Sequence, residues 1–267
     1  MIIGARTGAW SKSGSPTPAA YGGLCFTAEA DNSSVQLAAA GSAPAVTLVK
    51  SFDGVNWEAY AVGEVIDLQS VGDFVYLAAG EGGNETFGSS TSAYHQFVIN
   101  GLVAASGDIT SIRRFDLEQT TLATYCYISM FDGCTGLTSA PELPATTIAI
   151  GCYQYMFSGC TGLTSAPELP ATTLARACYS HMFYGCTGLT SAPELPATTL
   201  ARAGYNSMFA GCTNISLIQV HFTVWGSQTA AWVSGVSPTG TFYKPTALPE
   251  EYGGNRIPPG WAVVNID

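Results

Sequence analysis

Charged residues are scarce in this chain, and their scarcity argues against several classes of function. Only 10% of the 267 residues are charged, and nine lysines and arginines stand against nineteen acidic residues, which gives a net charge of −10. Without a basic patch to neutralise phosphates, nucleic-acid binding is not expected. An acidic surface also disfavours anionic membranes, and the lack of an 18-residue apolar run predicts no transmembrane helix and no membrane insertion.

Sequence motifs of catalysis are missing as well. The chain has no HExxH, Walker A, GxSxG or dinucleotide-binding pattern, and no zinc-type spacing of cysteine and histidine. Its three histidines, His95, His181 and His221, belong to different regions. The glycine-rich stretch 80–83 carries Glu81 and no lysine, which is unsuited to cradling a phosphate. We therefore expect no enzymatic activity, no bound metal and no cofactor.

The N-terminus lacks the features of a signal peptide, because it has neither a sufficiently long apolar stretch nor a cleavage-type end. If the chain starts natively at Met1, we expect a cytoplasmic protein or a component of a particle. Residues 1–22 combine an apolar segment with a linker rich in serine, proline, glycine and alanine. The apolar side chains are a candidate particle anchor: Met1, Ile2, Ile3 and Trp10.

The most informative feature that is present is a 26-residue repeat. Cys126, Cys152 and Cys178 each open a copy of CYxxMFxGCTGLTSAPELPATT, and a fourth copy from Gly204 ends after Cys212. Periods of this length are typical of solenoids, in which each unit buries its apolar side against its neighbours and the array presents a long surface. The repeat therefore favours a binding function over catalysis.

Each copy predicts a short strand, a turn and a short helix. In the first copy Tyr127, Met130, Phe131 and Cys134 recur at offsets 0, 3, 4 and 7, which places them on one face of a helix. Paired threonines precede each helix as N-caps, glycines follow it, and the prolines of APELP keep each strand short. The pattern predicts a solenoid over residues 107–217.

Seven of the eight cysteines fall in two columns of the repeat. The first column is Cys126, Cys152 and Cys178, and the second is Cys134, Cys160, Cys186 and Cys212. Within one copy the two columns are about 12 Å apart along a helix, which is beyond disulfide reach. Such columns predict buried free thiols, which pack as small apolar groups, in place of disulfides or metal ligands.

The segment before the repeats, residues 23–106, predicts a small β-sandwich. Short runs such as AVTLVKSF and DFVYLAAG are separated by clusters of turn-forming residues. Asp53-Gly54 lies between two of these runs and is a hairpin signal.

Residues 218–267 break the repeat pattern and predict a C-terminal cap over the last apolar face. The cap contains Trp225, Trp232 and Trp261, which we expect to seal that end, with sugar-stacking platforms as the alternative. The predicted fold class is mixed β and α/β, with an N-terminal β-sandwich, a short repeat solenoid and a C-terminal cap.

Two sets of residues are candidates for a binding surface. The positions that vary between copies lie opposite the core stripe, and they include Tyr155, His181 and Tyr184. These side chains are either exposed without a role or part of a contact surface.

The second set is a predicted ladder of carboxylates at one position of successive copies: Glu142, Glu168 and Glu194. Like charges in such a ladder repel each other, and the core pattern does not explain them. They form either a groove for a divalent cation or a basic ligand, or a solvated acidic ridge that discourages aggregation.

The repeat MFxGCTxLTxAPxLPATxLxxxCY resembles the BspA-type leucine-rich repeats of bacterial surface antigens. The resemblance covers residues 120–217, and the units here are longer and richer in proline. The matching residues of the second copy are Met156, Phe157, Cys160, Leu163 and Leu169-Pro170. The flanking segments are similar to those of proteins from gut Bacteroidetes and their phages, and MIIGARTGAW is similar to N-termini of phage structural proteins. The resemblance implies a leucine-rich-repeat solenoid with an adhesive role.

Together these patterns predict non-enzymatic recognition at a surface. We expect a phage fibre or decoration protein on the virion surface, which binds a bacterial receptor or polysaccharide and contacts other virion proteins through its N-terminus. A homo-oligomer is a further candidate assembly. A BspA-type adhesin on the bacterial cell surface and a purely structural virion protein are the alternatives. A polysaccharide-degrading enzyme ranks last, because it needs an acidic pair in a cleft that the sequence does not locate.

Overall fold

The computed structural model describes residues 22–114 and 121–266, and these form an almost entirely β protein. In the described residues the only helical segments are two short 3₁₀ turns, Ile109–Ile112 and Ser227–Thr229. None of the described helical segments is long and apolar enough to cross a membrane. The candidate anchor residues, Met1, Ile2, Ile3 and Trp10, and nearly all of the predicted linker lie outside the described residues.

Thirteen strands are described. In chain order they are β1 (Cys25–Ala28), β2 (Ser33–Ala40), β3 (Leu48–Ser51), β4 (Glu58–Tyr60), β5 (Val65–Leu68), β6 (Phe74–Ala79), β7 (Gly88–Ser90), β8 (Ala93–Asn100), β9 (Val103–Ser106), β10 (Leu137–Ser139), β11 (Leu217–Gln219), β12 (Thr241–Lys244) and β13 (Ala262–Asn265). They form a six-stranded sheet in the order β10-β9-β1-β6-β3-β4, a four-stranded sheet in the order β5-β2-β8-β7, and a three-stranded sheet β11-β12-β13.

The first two sheets share one core. Strands such as β2 and β8 alternate buried with more exposed residues, as strands with one buried face do. Phe26 of β1 packs edge-on against Phe97 of β8, with ring centroids 4.8 Å apart. Asp53 closes the β3–β4 hairpin, because its carboxylate accepts hydrogen bonds from the backbone N–H groups of Val55 and Asn56 at 2.8 and 2.7 Å.

The repeats are built from consecutive four-residue turns, and the predicted helices are not found. In the first copy the N–H of Cys126 donates to the carbonyl of Ala123, and the same bond recurs four and eight residues later. The third residue of each turn, Tyr125, Ser129 or Gly133, has a φ of 56°, 53° or 73°. This left-handed conformation belongs to the third position of a turn, and an α-helix cannot contain it.

Backbone hydrogen bonds between copies hold the turns in register. The N–H of Tyr127 donates to the carbonyl of Cys152 at 2.9 Å, and the N–H of Phe131 donates to Met156 at 2.8 Å. Between them, the N–H of Ser129 donates to Gln154 of the next copy, whereas the N–H groups of Ile128 and Met130 bond three residues back in their own copy. The two kinds of hydrogen bond therefore alternate along the chain. Each copy therefore satisfies its neighbour's backbone groups, which a helix would satisfy internally.

The predicted fold class is wrong, because it contains an α/β solenoid with helices. The first and fourth residues of the turns that begin at Tyr127 and Phe131 are buried, and this pattern also gives offsets of 0, 3, 4 and 7. The predicted strand after each helix is formed only in the first described copy, as β10, where β9 offers a parallel partner. The described strands form three separate sheets instead.

Two columns of stacked aromatic rings run through the repeats. The tyrosine column has ring centroids 5.9 Å apart from Tyr127 to Tyr153 and 5.9 Å apart from Tyr153 to Tyr179. The phenylalanine column has the corresponding distance of 5.4 Å from Phe131 to Phe157. These rings are fully buried, so identical residues recur because they occupy equivalent places in one core.

The ends of both columns are covered. Phe87 stacks on the first ring of the tyrosine column, Tyr127, so the β-sheets cover the N-terminal end. At the other end Trp232 contacts both Tyr205 and Phe209, with ring centroids 6.4 and 6.3 Å apart.

The tryptophans of residues 218–267 have packing roles. Trp232 and Trp261 are buried, and their indole N–H groups donate to backbone carbonyls of Arg256 and Ser237. Trp225 is partly buried and donates to Pro249. Sealing of the end of the core, which the sequence predicts, agrees with this burial better than sugar stacking does.

All eight cysteines are free and buried, and for the seven in the repeat columns this confirms the prediction from the sequence. In the second column each thiol donates to the carbonyl of an aromatic residue of the preceding layer: Cys134 to Phe97, Cys160 to Phe131, Cys186 to Phe157 and Cys212 to Phe183, at 2.9 to 3.1 Å. The thiol is thus a small buried group whose weak donor is satisfied.

Candidate functional site

The second and third residues of the stacked turns lie between the buried first and fourth residues, and we call this side of the repeats the outer turn face. Some of them are exposed, such as Tyr184, and others are buried, such as Ile128 and Ser180. In the third repeat the three turns begin at Ala175, Tyr179 and Phe183. Their second residues are Arg176, Ser180 and Tyr184, and their third residues are Ala177, His181 and Gly185. The equivalent positions of the neighbouring repeats continue each column along the array.

Three of the candidate residues meet on this face, and we call them the aromatic cluster: Tyr155, His181 and Tyr184. Tyr155 and His181 occupy the same turn position in adjacent repeats, and their rings stack with centroids 4.6 Å apart and planes 24° apart. Tyr184 lies one turn further along the third repeat, with its ring centroid 5.9 Å from that of His181. The sequence predicts each residue as a surface candidate, and the structure brings the three together.

The imidazole of His181 is held in place on one side. A hydrogen bond of 2.9 Å joins its Nδ1 to the hydroxyl of Ser180, which is buried. Partial burial lowers the pKa of His181 below its usual value and so favours the neutral imidazole. Tyr184 is 48% exposed, which leaves part of its ring available to a ligand.

Small residues follow the aromatic cluster toward the C-terminal end. Ser207 and Ala210 stand in the fourth repeat where His181 and Tyr184 stand in the third. The N–H of Ser207 donates to the carbonyl of Ala230 at 2.8 Å, which sets the register of the next layer. The residues of that layer beside Ser207, Ala230 and Ala231, are small as well. The rings of His181 and Tyr184 therefore adjoin small residues, of which Ser207 is partly exposed and Ala210 is buried. We call this arrangement the shelf, with the two rings as its wall and the small residues as its floor.

The backbone gives no local reason for large rings at two of these positions. Tyr155 and His181 have φ values of 58° and 57°, in the left-handed region that costs a side-chain-bearing residue roughly 1–2 kcal/mol. Ser129 and Ser207 occupy the same turn position in the other copies with φ values of 53° and 51°. Serine adopts the same turn conformation, so the turn itself does not require the larger side chains of Tyr155 and His181.

The three glutamates do not form a uniform ladder. All three are exposed, and Glu142 and Glu168 line an open groove of about 500 Å³ together with prolines of the two APELP segments. Glu194 instead accepts a hydrogen bond from Nε2 of His221 at 2.7 Å and one from the amide of Gln219 at 3.2 Å.

The glutamate positions therefore give little support to a cation site. Within residues 22–114 and 121–266, no group of three or more His, Cys, Asp or Glu residues is placed to hold a metal ion. A calcium site needs several oxygen ligands for each ion. The solvated acidic ridge, which the sequence offers as the alternative, agrees better with this arrangement.

Two arginines on the outer turn face are absent from the candidates predicted from the sequence. Arg176 and Arg202 are exposed and occupy the same turn position in adjacent repeats, where Thr124 and Ile150 stand in the first two copies. These positions also vary between copies, and this variation is the sequence signal that could have identified them as surface candidates. The sequence-based candidates were taken only from variable positions after the tyrosine of each copy, and Arg176 and Arg202 precede Tyr179 and Tyr205.

Comparison with known proteins does not assign this site. No protein-family model matches the chain, and neither the curated proteins nor the solved structures gave a significant match. The resemblance to BspA-type repeats therefore stays a prediction that rests on the repeat sequence alone.

Proposed function

We propose that this protein recognises a saccharide on a bacterial surface without acting on it chemically, as a fibre or decoration protein of a phage virion. The observation that carries the proposal is the aromatic cluster on the outer turn face. Its three side chains are Tyr155, His181 and Tyr184, which vary between copies while the core beneath them repeats.

The chemistry of the cluster suits a ring-shaped polar ligand. Aromatic side chains offer an apolar surface at little cost in conformational entropy, and tyrosine and histidine add a polar group at the edge of the ring. Ligand sites combine such apolar walls with a few polar groups that fix orientation. Here those polar groups are the Tyr184 hydroxyl, the His181 imidazole and the Ser207 hydroxyl beside the shelf.

The scaffold supports binding because the outer turn face is ordered before the ligand arrives. Each turn is fixed by a hydrogen bond within its own repeat and by bonds to the next repeat, such as that from the N–H of His181 to Asn206 at 2.8 Å. A surface that is already fixed loses less conformational entropy on binding.

The composition of the shelf favours recognition over hydrolysis. Glycoside hydrolysis usually needs two carboxyl groups about 5–10 Å apart. The residues that form the wall and floor of the shelf are tyrosine, histidine, serine, alanine and glycine. Ser180 and His181 share a hydrogen bond, but they are sequence neighbours, and a nucleophilic serine also needs an acid that orients its histidine.

Binding of the labelled full-length chain to gut bacterial cells tests the proposal, with capsule-deficient strains alongside. We expect saturable binding that falls at least tenfold when the cluster is removed by H181S/Y184S, because those serines stand at the same turn positions in other repeats. Y252S is the control, since Tyr252 is 52% exposed in the C-terminal region. Absence of binding to every strain, or equal binding by H181S/Y184S, would contradict the proposal.

A purely structural role in a particle is the second candidate, and strand β13 favours it. This strand is the last of the parallel sheet β11-β12-β13, and Val264 on it is 40% exposed. An edge strand with free backbone groups can pair with another chain. Sedimentation of the full-length chain gives the test: stable oligomers that dissociate when Val264 is replaced by lysine support this role.

A further inference from the structure

Arg176 and Arg202 form a pair of positive charges on the outer turn face. Each is the second residue of its turn, and the N–H of Ala177 donates to the carbonyl of Arg202 at 3.0 Å, so the two arginines lie in directly adjacent layers. The chain has only nine lysines and arginines. Two of the nine therefore stand side by side on the face that carries the aromatic cluster.

The charges of this pair are not balanced locally. Within the described parts of the chain, ion pairs join Lys50 to glutamates of the β-sheets and Arg256 to Glu251, whereas neither Arg176 nor Arg202 has a carboxylate partner. Both arginines are exposed. Adjacent like charges repel each other, and guanidinium groups offer paired donors that match the geometry of a carboxylate or phosphate. An anionic group is the ligand chemistry that relieves this repulsion.

The arginine pair borders the shelf. Arg176, Ser180 and Tyr184 are the second residues of three consecutive turns, so one row of the third repeat contains both an arginine and a ring of the cluster. In the fourth repeat the same row runs from Arg202 through Asn206 to Ala210. A ligand whose ring lies against the aromatic wall therefore has two guanidinium groups at one side of it.

We propose that the shelf binds an acidic saccharide, with the sugar ring against His181 and Tyr184 and its anionic group between Arg176 and Arg202. This inference rests on the proposed function and narrows its ligand class to sugars that carry a carboxylate or a phosphate. The net charge of −10 means that the protein as a whole does not attract anions, so binding of an acidic sugar needs a local positive charge. Attraction at the shelf is local to the two arginines.

The probe for this inference is the surface polysaccharide of a bacterium to which the full-length chain adheres. One sample is native, a second has its carboxylates reduced to alcohols, and a third has its phosphates removed. The proteins are the wild type, R176I/R202T, R176K/R202K and H181S/Y184S. Isoleucine and threonine stand at the same turn position in Ile150 and Thr124, so this double variant retains the repeat's own residue types.

We expect the wild type to bind native polysaccharide at least tenfold more tightly than the sample that has lost its anionic group. Comparison of the carboxylate-reduced and dephosphorylated samples shows whether the protein binds the carboxylate or the phosphate. R176I/R202T should bind all samples weakly and equally, while R176K/R202K should retain part of the preference because it keeps the charge. Binding of the wild type should also weaken as salt concentration rises.

The outcomes separate the two proposals. If H181S/Y184S loses binding but charge removal and R176I/R202T have no effect, the aromatic recognition stands and the acidic ligand class is wrong. If the wild type binds no bacterium, both proposals are wrong. Thermal melts of each variant, compared with the wild type, show that a loss of binding does not come from unfolding.

Discussion

The ring of Phe97 in the β-sheets stacks on the ring of Phe131 in the first repeat, with centroids 5.1 Å apart. The N–H of Phe97 also donates to the carbonyl of Met130 at 2.7 Å, and its carbonyl accepts from the thiol of Cys134. These are the contacts that each repeat makes with the next. Strand β8 therefore acts as the first layer of the stack, and the β-sheets cover the end of the repeat core.

Removal of the Phe97 ring should destabilise the whole chain. We expect F97A to lower the free energy of unfolding by about 3–5 kcal/mol, because the substitution leaves a cavity between the sheets and the repeats. Chemical denaturation followed by circular dichroism measures this. V98A on the same strand is the control, since Val98 is 39% exposed and its truncation should cost less than about 1 kcal/mol. Equal losses for the two variants would contradict the role of Phe97.

Deletion of one complete repeat should leave a folded protein. Without residues 152–177, the third copy takes the place of the second, so Phe131 stacks on Phe183 and the backbone ladder keeps its register. Circular dichroism and size-exclusion chromatography should show a folded chain that is one layer shorter. Deletion of residues 152–164, half a repeat, is the control and should unfold the array. An unfolded chain after the full-repeat deletion would show that neighbouring layers are not interchangeable.

The cysteine columns should be inert in the folded protein. Burial raises the pKa of Cys126 to about 11 and that of Cys134 to about 12, so almost no thiolate exists at neutral pH. We expect no reaction of the native chain with a thiol reagent such as DTNB over minutes, and reaction of all eight cysteines in guanidinium chloride. Fast modification under native conditions would show that a column opens to solvent.

Asp53 should make the β-sheets sensitive to acid. Partial burial raises the pKa of this carboxyl, but hydrogen bonds from Asn56, Val55 and Ser51 outweigh it and hold the pKa at about 2, below the ordinary 3.8. A lowered pKa in the folded state stabilises the protein above the unfolded value, and this contribution disappears as pH falls from about 4 toward 2.

The D53N variant measures that contribution. We expect wild type to exceed D53N in unfolding free energy by about 1–2 kcal/mol at pH 7, after allowance for solvent screening, and the difference to shrink below pH 4. Denaturant unfolding at several pH values gives the comparison. D67N, at an exposed position of β5, is the control and should show a much smaller change. A difference between wild type and D53N that does not depend on pH would assign the effect to shape and not to charge.

The columns of the core were predictable from sequence for a simple reason. Residues such as Cys160 and Phe157 recur at the same place in successive copies, and stacked copies must give identical residues identical surroundings. Burial of the seven thiols in the repeat columns follows from this register whatever the local backbone does. The same logic places Tyr155 and His181 next to each other once the copies stack.

The local conformation was not predictable in the same way. Tyr127, Met130, Phe131 and Cys134 fit one face of a helix, but buried first and fourth residues of consecutive four-residue turns give the same spacing over so short a segment. Which conformation forms depends on where the backbone hydrogen bonds go, and the neighbouring copy accepts half of them here. Tyr125 and Ser129 adopt left-handed backbone conformations, and because neither is a glycine, the sequence gives no signal of this.

The sequence by itself determined which repeated residues form the core, that the cysteines of the two columns are buried and which positions vary, because the 26-residue register forces equivalence on stacked copies. Only the tertiary structure decided that the copies are stacked turns, that β8 and Trp232 cover the two ends, and that His181, Tyr184 and the Arg176–Arg202 pair share one face. Those facts depend on hydrogen bonds and contacts between residues 23 or more positions apart, which a local pattern does not contain.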